Sequence, residues 1–568
     1  MKIGYEPGKN IKNNVTYFLE GHAKNKPDKP IFCWINPEVL GSPDNIDLNK
    51  LEHQAISYRN FVDFTSKIAS GYSDLGIKKG DRVIVFLPMI VNMYLALSAL
   101  QRIGAIPVLL DSWTRHIHLK TCIDQVKPGA IISFDKAFIL GRSIPEFDAI
   151  PLKISVGPTT QKYSASLEEL IHNSSTLPIT PVEQEDTALI TFTTGSSGIP
   201  KGADRSHRFL AAQHYTLSKC IPYHKNDIDL PIFPVFSLNN VASGITTVLP
   251  AIDISTPKST DSAILLNQIK RSGISCATLS PSIFNNLSTL CIENKLEIPQ
   301  LRRVVTGGAP ISRNNVIDFK SIAKKAEIVM LYGSTEVEPI SQISDKELLS
   351  FKSKEDEDPE LVEEGVNVGH IVQGLKYKLI KIDKNPIKVS TRDNWKSIEV
   401  SNGIGELIVA GEHVCQRYYK NPEAFSRAKI VDTDGTIWHR TGDLIRLDKE
   451  GYFWIVGRVH NAIQRAGTYV FPVRAEVVLK KLPFVAQAAY LGIPDPNLGE
   501  KTIVVIEFKD KTLLLKYDNI KTWELKIRDL FAKNSLPIDS ILFVDSIPMD
   551  PRHHSKVEYA QLRQRIQT

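Results

Sequence analysis

Thr191-Phe192-Thr193-Thr194-Gly195-Ser196-Ser197-Gly198-Ile199-Pro200-Lys201-Gly202 places five hydroxyls, three glycines and a lysine within twelve residues. The apolar stretch Ala188–Ile190 precedes it and reads as a strand, and the segment after it is predicted to be a helix. Glycines let backbone N–H groups close on an anion, while hydroxyls and an ammonium add donors. A polyphosphate needs that donor set. The spacing differs from a G-x-x-x-x-G-K-[ST] loop, so the segment is not the nucleotide motif of that type.

Outward from this loop, short apolar runs alternate with segments of helical spacing. Val83–Leu87, Ile106–Leu110 and Ala130–Ser133 read as strands, and Tyr58–Leu75, Pro88–Ile103 and Leu119–Val126 as helices. The alternation returns from Thr187–Phe192 to Val329–Tyr332. It predicts parallel sheets with helices on both faces, a doubly wound α/β architecture. After about residue 365 the texture changes to short β-like runs such as Gly405–Val409 and Tyr452–Ile455, which predict a small β subdomain. From Gly457 onward there is room for one α+β module. The expected division is 1–457 and 458–568. The acidic run Lys354–Glu360 reads as a solvated loop.

The chain has 568 residues, 42% of them hydrophobic and 23% charged, so it can bury a sizeable core and is not disordered as a whole. Sixty-nine Lys and Arg against 63 Asp and Glu give a net charge of +6, too mild for a nucleic-acid partner. Six cysteines without a C-x-x-C pair are expected to be free, mostly buried thiols. Met1–Pro7 lacks the apolar core of a secretory signal. Val83–Leu100 is interrupted by Pro88 and Asn92 and reads as strand plus helix rather than a span. The expectation is a cytoplasmic protein with no integral membrane segment.

Thr191–Gly202 resembles the phosphate loop of the acyl-adenylate-forming superfamily: acyl-CoA ligases, luciferases and peptide-synthetase adenylation domains. Further motifs follow in that family's order. They are Thr306-Gly307-Gly308-Ala309-Pro310, Leu331-Tyr332-Gly333-Ser334-Thr335-Glu336, His439-Arg440-Thr441-Gly442-Asp443-Leu444, Gly457-Arg458, and Pro548–Val557 with Lys556. The resemblance implies a large N-terminal domain of two doubly wound α/β subdomains plus a β subdomain, and a mobile C-terminal α+β lid hinged near His460. It implies ATP and Mg²⁺ as cofactors, with CoA as a further one. ATP would be bound by Thr193, Thr194, Gly195, Ser196, Ser197, Gly198, Lys201, Gly307, Gly308, Ala309, Tyr332, Gly333, Ser334, Asp443 and Arg458. Tyr332 would stack on adenine and Asp443 would hold the ribose hydroxyls. Thr335, Glu336 and Lys556 would be catalytic, and Glu336 would hold the metal, since a hard cation prefers carboxylate and phosphate oxygens.

Three departures narrow the branch. Ser237 stands in Phe233–Leu238 where many acyl-CoA ligases place His. His460 stands at a hinge position usually Asp or Lys. Asp550-Pro551-Arg552-His553-His554-Ser555-Lys556 replaces small residues before the lysine. Together these resemble the olefin β-lactone synthetase branch. The implied reaction activates a long 3-hydroxy fatty acid as acyl-AMP with pyrophosphate release and then closes a β-lactone. The segment Gly467–Glu476 keeps the Gly…Pro…Glu spacing of ordinary acyl-CoA ligases, so thioester formation with CoA is the alternative. A degenerate acyl- or nucleotide-binding protein is the second alternative. The expected partners are a small-molecule carboxylic acid and the enzymes of a lipid pathway, with no nucleic acid.

Overall fold

The computed structural model describes residues 13–35, 53–110, 116–194, 199–254, 258, 260–389, 391–400, 403–510, 517–549 and 557–567. Two large sheets dominate the first 420 residues. In one, Arg82–Phe86 is central and pairs in parallel with Ile106–Leu109 and Ala130–Ser133, and Leu152–Ser155 extends that parallel set. In the other, Ile228–Pro231, Cys276–Leu279, Arg303–Gly307 and Glu327–Ser334 run parallel in that order. Helices cover the faces, as in Phe284 of Pro281–Glu293 stacked 4.1 Å from Phe319 of Arg313–Ile322. The predicted doubly wound α/β class is what the chain adopts.

The stretch Val83–Leu100 splits into the strand Arg82–Phe86 and the helix Val91–Ile103, which starts three residues after Pro88. No helix among the described residues is long and apolar enough to cross a membrane. All six cysteines are free, four of them buried.

A six-stranded sheet from residues 366–458 forms the β subdomain. A five-stranded sheet lies wholly after Asn461. Between the two stands a single 3-10 turn, Val459–Asn461. The C-terminal core is built by Val478, Leu479, Tyr490, Val504, Ile506, Ile527 and Phe531.

Two local expectations hold only in part. The helix after the phosphate loop is present, His207–Cys220, but a strand not foreseen comes first: Pro200–Ser206 pairs antiparallel with Thr187–Thr194. Lys201, Asp204 and Arg205 disguise that second strand as a polar segment, yet six of its seven residues are buried, all but Lys201. The Ser206 hydroxyl then accepts from the Phe209 amide and starts the helix. The acidic run is solvent-facing as expected, but it is not a plain loop. Lys354–Glu357 is a capped helical turn, Glu355 pairs with Lys481, and Glu360 pairs with Lys533. Val362 then packs into the C-terminal core, so the run clasps that domain.

Candidate active site

Parallel pairing puts two of the glycine-rich motifs side by side. Gly307 lies opposite Leu331 in the ladder. A Cβ at Gly307 would sit 2.2 Å from the Leu331 carbonyl oxygen, so only glycine lets these backbones approach. Gly308 has φ +87°, the left-handed region. Glu327–Ser334 then turns back through Thr335 and Glu336 into the antiparallel strand Val337–Ser344. The tight turn brings Thr335 and Glu336 to the end of the parallel sheet, where α/β folds place ligands.

Glu336 is the centre of a charged cluster. Its Oε1 accepts from the Tyr418 hydroxyl at 2.8 Å and from Thr193 Oγ1 at 3.5 Å. Thr193 faces Lys201 across the phosphate-loop hairpin, and Tyr418 pairs with Ala203 of the same sheet. The Tyr418 ring carries two ammonium groups, Lys201 at 5.9 Å and Lys429 at 5.6 Å from its centroid. Lys429 is 2% exposed, donates to the Cys415 carbonyl, and faces His439 across a strand pair. Burial pushes the Glu336 carboxyl up, but His439, the Tyr418 hydroxyl and Lys429 outweigh it and hold it at about 2. Burial drives His439 itself down to about 3, so near neutral pH that ring is uncharged. There the Tyr418 hydroxyl and Lys429 sustain the Glu336 anion. Burial also lowers Lys201, with Glu336 opposing.

Arg205 lies beside this cluster, 4% exposed, and donates from Nη2 to the Thr335 carbonyl at 2.7 Å. Burial raises the carboxyl of Glu338 to about 7 against the pull of Arg205.

A second cluster joins motifs 111 residues apart. Tyr332 donates its hydroxyl to Asp443 at 2.7 Å, and Arg458 pairs with the same carboxylate at 2.9 Å. Behind it, the buried Arg440 guanidinium is forked onto Glu406, which also accepts from the Gly442 amide. That pair fixes the turn that carries Asp443, so Gly405-Glu406-Leu407 is structural.

These groups meet one cavity of about 1930 Å³. Thr193, Lys201, Gly307, Gly308, Gly333, Ser334, Thr335, Glu336 and Arg458 line it; Ala309, Tyr332 and Asp443 are not on its wall. Apolar side chains make up much of its remainder, with polar ones among them such as Asn92, Lys136, Asp253, Lys258 and Asp261. One part is walled by Leu87, Met89, Ile90 and Val91, another by Trp34, Ile35, Ala251 and Ile264, with Phe233, Val235, Phe236 and Leu238 between motifs. Ser237 is fully buried and off the wall, so the residue that marks the departure does not face the cavity. His460 of the 3-10 turn does line it. Gly195, Ser196, Ser197, Gly198 and Lys556 lie outside the described residues, as do His553 and His554, and of Thr194 only the backbone is described.

Arg205, Glu338, Tyr418 and Lys429 were not singled out by the motifs. The available signal was a charge inside a short apolar strand, as at Lys429 between Ala428 and Ile430. Such a charge is costly to bury without a functional or ionic partner.

The donor set suits a magnesium nucleotide. Lys201, Arg205, Arg427 and Arg458 line the polar end and suit a polyanion. No group of three His, Cys, Asp or Glu among the described residues could hold a metal alone. A single carboxylate beside a phosphate site matches Mg²⁺, which takes few protein ligands and completes its shell with phosphate oxygen and water.

The family model "AMP-binding enzyme" matches residues 19–419. The olefin beta-lactone synthetase of Stenotrophomonas maltophilia is 28% identical over 451 residues, 77% of this chain and 78% of that one. Its counterpart in Xanthomonas campestris is 25% identical over 511 residues, 88% and 89%. 4-Coumarate–CoA ligase 5 of Oryza sativa is 24% identical over 505 residues, 88% and 87%. Among solved structures, the O-succinylbenzoate Coenzyme A synthetase of Bacillus subtilis in complex with ATP and magnesium ion superposes with a TM-score of 0.72 at 18% identity, covering 96% and 99%.

Proposed function

This chain belongs to the AMP-binding enzyme family, and from that premise we propose which acid it activates and what receives the acyl group. The common step is adenylate formation: ATP and a small-molecule carboxylic acid give acyl-AMP and pyrophosphate, with Mg²⁺. ATP supplies the electrophilic phosphorus and the pyrophosphate leaving group. In the proposed assignment Thr193, Lys201 and the phosphate loop orient the phosphates, and Glu336 holds the metal. Arg458, which lines the cavity and is held by Asp443 behind it, meets the ribose. Lys556 brings positive charge from the C-terminal domain to the carboxylate and α-phosphate. Catalysis is then positioning plus charge stabilisation.

The acid is long and apolar. The observation that carries this is the set of apolar side chains, Leu87, Met89, Phe236, Ala251 and Ile264 among them, on the wall of the cavity that Glu336 also lines. Phe236–Gly244 offers no carboxylate for a substrate ammonium, and burying that ammonium unpaired is costly.

CoA is the proposed acceptor. The relation to a 4-coumarate–CoA ligase over 88% of the chain supports it, as does the retained Gly467…Pro472…Glu476 spacing. Internal lactonisation is the second reading. It is favoured by similarity to two olefin beta-lactone synthetases and by Phe233, Val235, Phe236 and Leu238 on the cavity wall. A hydroxyl on the bound acid needs no second encounter to attack the adenylate. Mass spectrometry after incubation with ATP, Mg²⁺ and 3-hydroxymyristate, with and without CoA, separates them. A CoA-dependent thioester supports the first reading. AMP plus a product one water lighter than the acid, formed without CoA, replaces it with the second. Amino acids outperforming fatty acids in pyrophosphate exchange would sink the apolar-acid reading altogether.

A further inference from the structure

The adenylation chemistry leaves a second pocket unused, of about 620 Å³, lined by Lys26, Lys29, Lys225 and Arg271. The strands Pro30–Ile35, Ile228–Pro231 and Thr246–Val248 are parallel neighbours, and the first residue of each is on the pocket wall. At their far ends Ile35, Ile232 and Leu249 line the large cavity. The length of the sheet therefore separates this pocket from the site proposed for ATP. Positive charge converges on it from three parts of the chain. Lys26 and Lys29 lie on the turn between the helix Thr16–Asn25 and the strand Pro30–Ile35, Lys225 precedes Ile228–Pro231, and Arg271 ends the helix Asp261–Arg271. Lys29 donates to the carbonyls of Lys225 at 3.2 Å and Gly244 at 2.9 Å, which ties the first of these parts to the second. Among the described residues none of the three lysines has an ion-pair partner. Among them too, Asp227 is the one acid on the wall, and it is taken up by Arg302, the His224 amide and the Ser275 hydroxyl. Burial and the Lys26 ammonium lower Lys29, and Asp227 opposes them without prevailing.

Four cations against one committed carboxylate leave the wall positive, and like charges gathered there repel one another until an anion enters. Cys33, Ile228 and Val248 lie on the same wall, so the pocket offers hydrocarbon contact beside the charge. A carboxylate brings a single negative charge, whereas a phosphate ester brings about 1.5 to 2 near pH 7. A lysine ammonium meets phosphate as a point charge, without the planar fork that a carboxylate favours. We propose that this pocket is a binding site for a small phosphomonoester with an apolar body. The assignment is independent of which acid the enzyme activates and of what receives the acyl group.

The test is lysine footprinting of the full chain, by limited acetylation and mass spectrometry. The probes are n-butyl phosphate, inorganic phosphate, valerate and vesicles containing phosphatidic acid. n-Butyl phosphate should protect Lys26 and Lys225 several-fold, while the exposed Lys162, beside the other large sheet, labels as before. Inorganic phosphate lacks the apolar body, so its half-protecting concentration should be at least about tenfold higher. Valerate carries a similar chain with less charge and should need at least about fivefold more. K26E, read at Lys225, should raise the half-protecting concentration of n-butyl phosphate at least about fivefold and leave pyrophosphate exchange unchanged. If K26E does not fold, K225E read at Lys26 carries the decision. No protection of these lysines, equal protection of Lys162, equal potency of inorganic phosphate or of valerate, or an unmoved half-protecting concentration in the variant overturns the assignment. Protection by the vesicles alone overturns it too, because the pocket would then be a contact for a lipid headgroup rather than a site for a small ester.

Discussion

The two ends of the cavity are built on opposite plans. At the polar end, Glu336, Tyr418, Lys201 and Lys429 come from four chain segments, yet each is held by a partner in this chain. At the apolar end, Trp34, Ile35, Met89, Ala251 and Ile264 line space that no side chain fills. The polar end is preorganised, so its groups pay little to reorient when charge develops. The apolar end gains by covering hydrocarbon, in proportion to the area it takes from water. Chemistry should therefore depend steeply on single residues at one end, and substrate length should depend in a graded way on volume at the other.

The steepest dependence is expected at Lys556. Lys556→Ala should slow adenylate formation at least about a hundredfold, the scale of losing one charged transition-state donor. A presynthesised acyl-adenylate should still bind, because the role proposed for Lys556 is in forming the adenylate rather than in holding it. Wild-type exchange of pyrophosphate into ATP by this variant would remove Lys556 from the polar end.

Glu336→Gln comes next. It keeps the shape and the Tyr418 contact but removes the charge, leaving Lys429 buried without its anion. Pyrophosphate exchange should fall by about 10- to 100-fold, with the Mg²⁺ requirement rising. A magnesium titration that superimposes on the wild type would place the cation elsewhere.

The same contrast explains what the sequence could reveal. Contiguous motifs carry the polar end, because a phosphate is gripped by backbone and short side chains within a few residues. Thr191–Gly202 and Tyr332–Glu336 could be read directly for that reason. Tyr418 and Lys429 could not, because only the pairing of Arg417–Tyr418 with Pro200–Ser206, and of Lys429–Val431 with Ile437–Leu447, brings them to Glu336. The strand after the phosphate loop was hidden by its own Lys201, Asp204 and Arg205: Lys201 and Arg205 line the cavity, and Asp204 pairs with Arg417. The apolar end was illegible in a different way. Leu87 and Ile264 look like core residues in sequence, and nothing local separates a side chain that meets another from one that meets a void.

At the apolar end the expected effect is smaller and selective. Ala251 packs with Ile35 and Ile264 on the cavity wall. Ala251→Trp fills volume there, so KM for myristate should rise about tenfold while that for hexanoate stays within about twofold. Equal losses for both acids would mean that the change disturbed the fold, or that the long chain takes the other arm beside Leu87 and Met89.

The smallest effect is expected from a charge pair that does not line the cavity. Arg302 forks onto Asp227, whose side chain is 5% exposed and also accepts from the His224 amide and the Ser275 hydroxyl. Burial pushes the Asp227 carboxyl up, but Arg302 and these donors prevail and hold it at about 2. A carboxyl whose folded pKa lies below its unfolded one stabilises the fold above the unfolded value, near pH 4. That contribution is lost as the pH falls through about 2. Arg302 is partly exposed, so solvent reduces the pair to about 1 kcal/mol. Arg302→Met should lower the thermal midpoint at pH 7 by about 1–2 °C, with the gap to wild type narrowing below about pH 4. Pyrophosphate exchange and chain-length preference should not move. A kinetic change as large as that of Ala251→Trp would show that charge far from Glu336 still tunes the chemistry, and the division between a preorganised end and the rest of the molecule would fail.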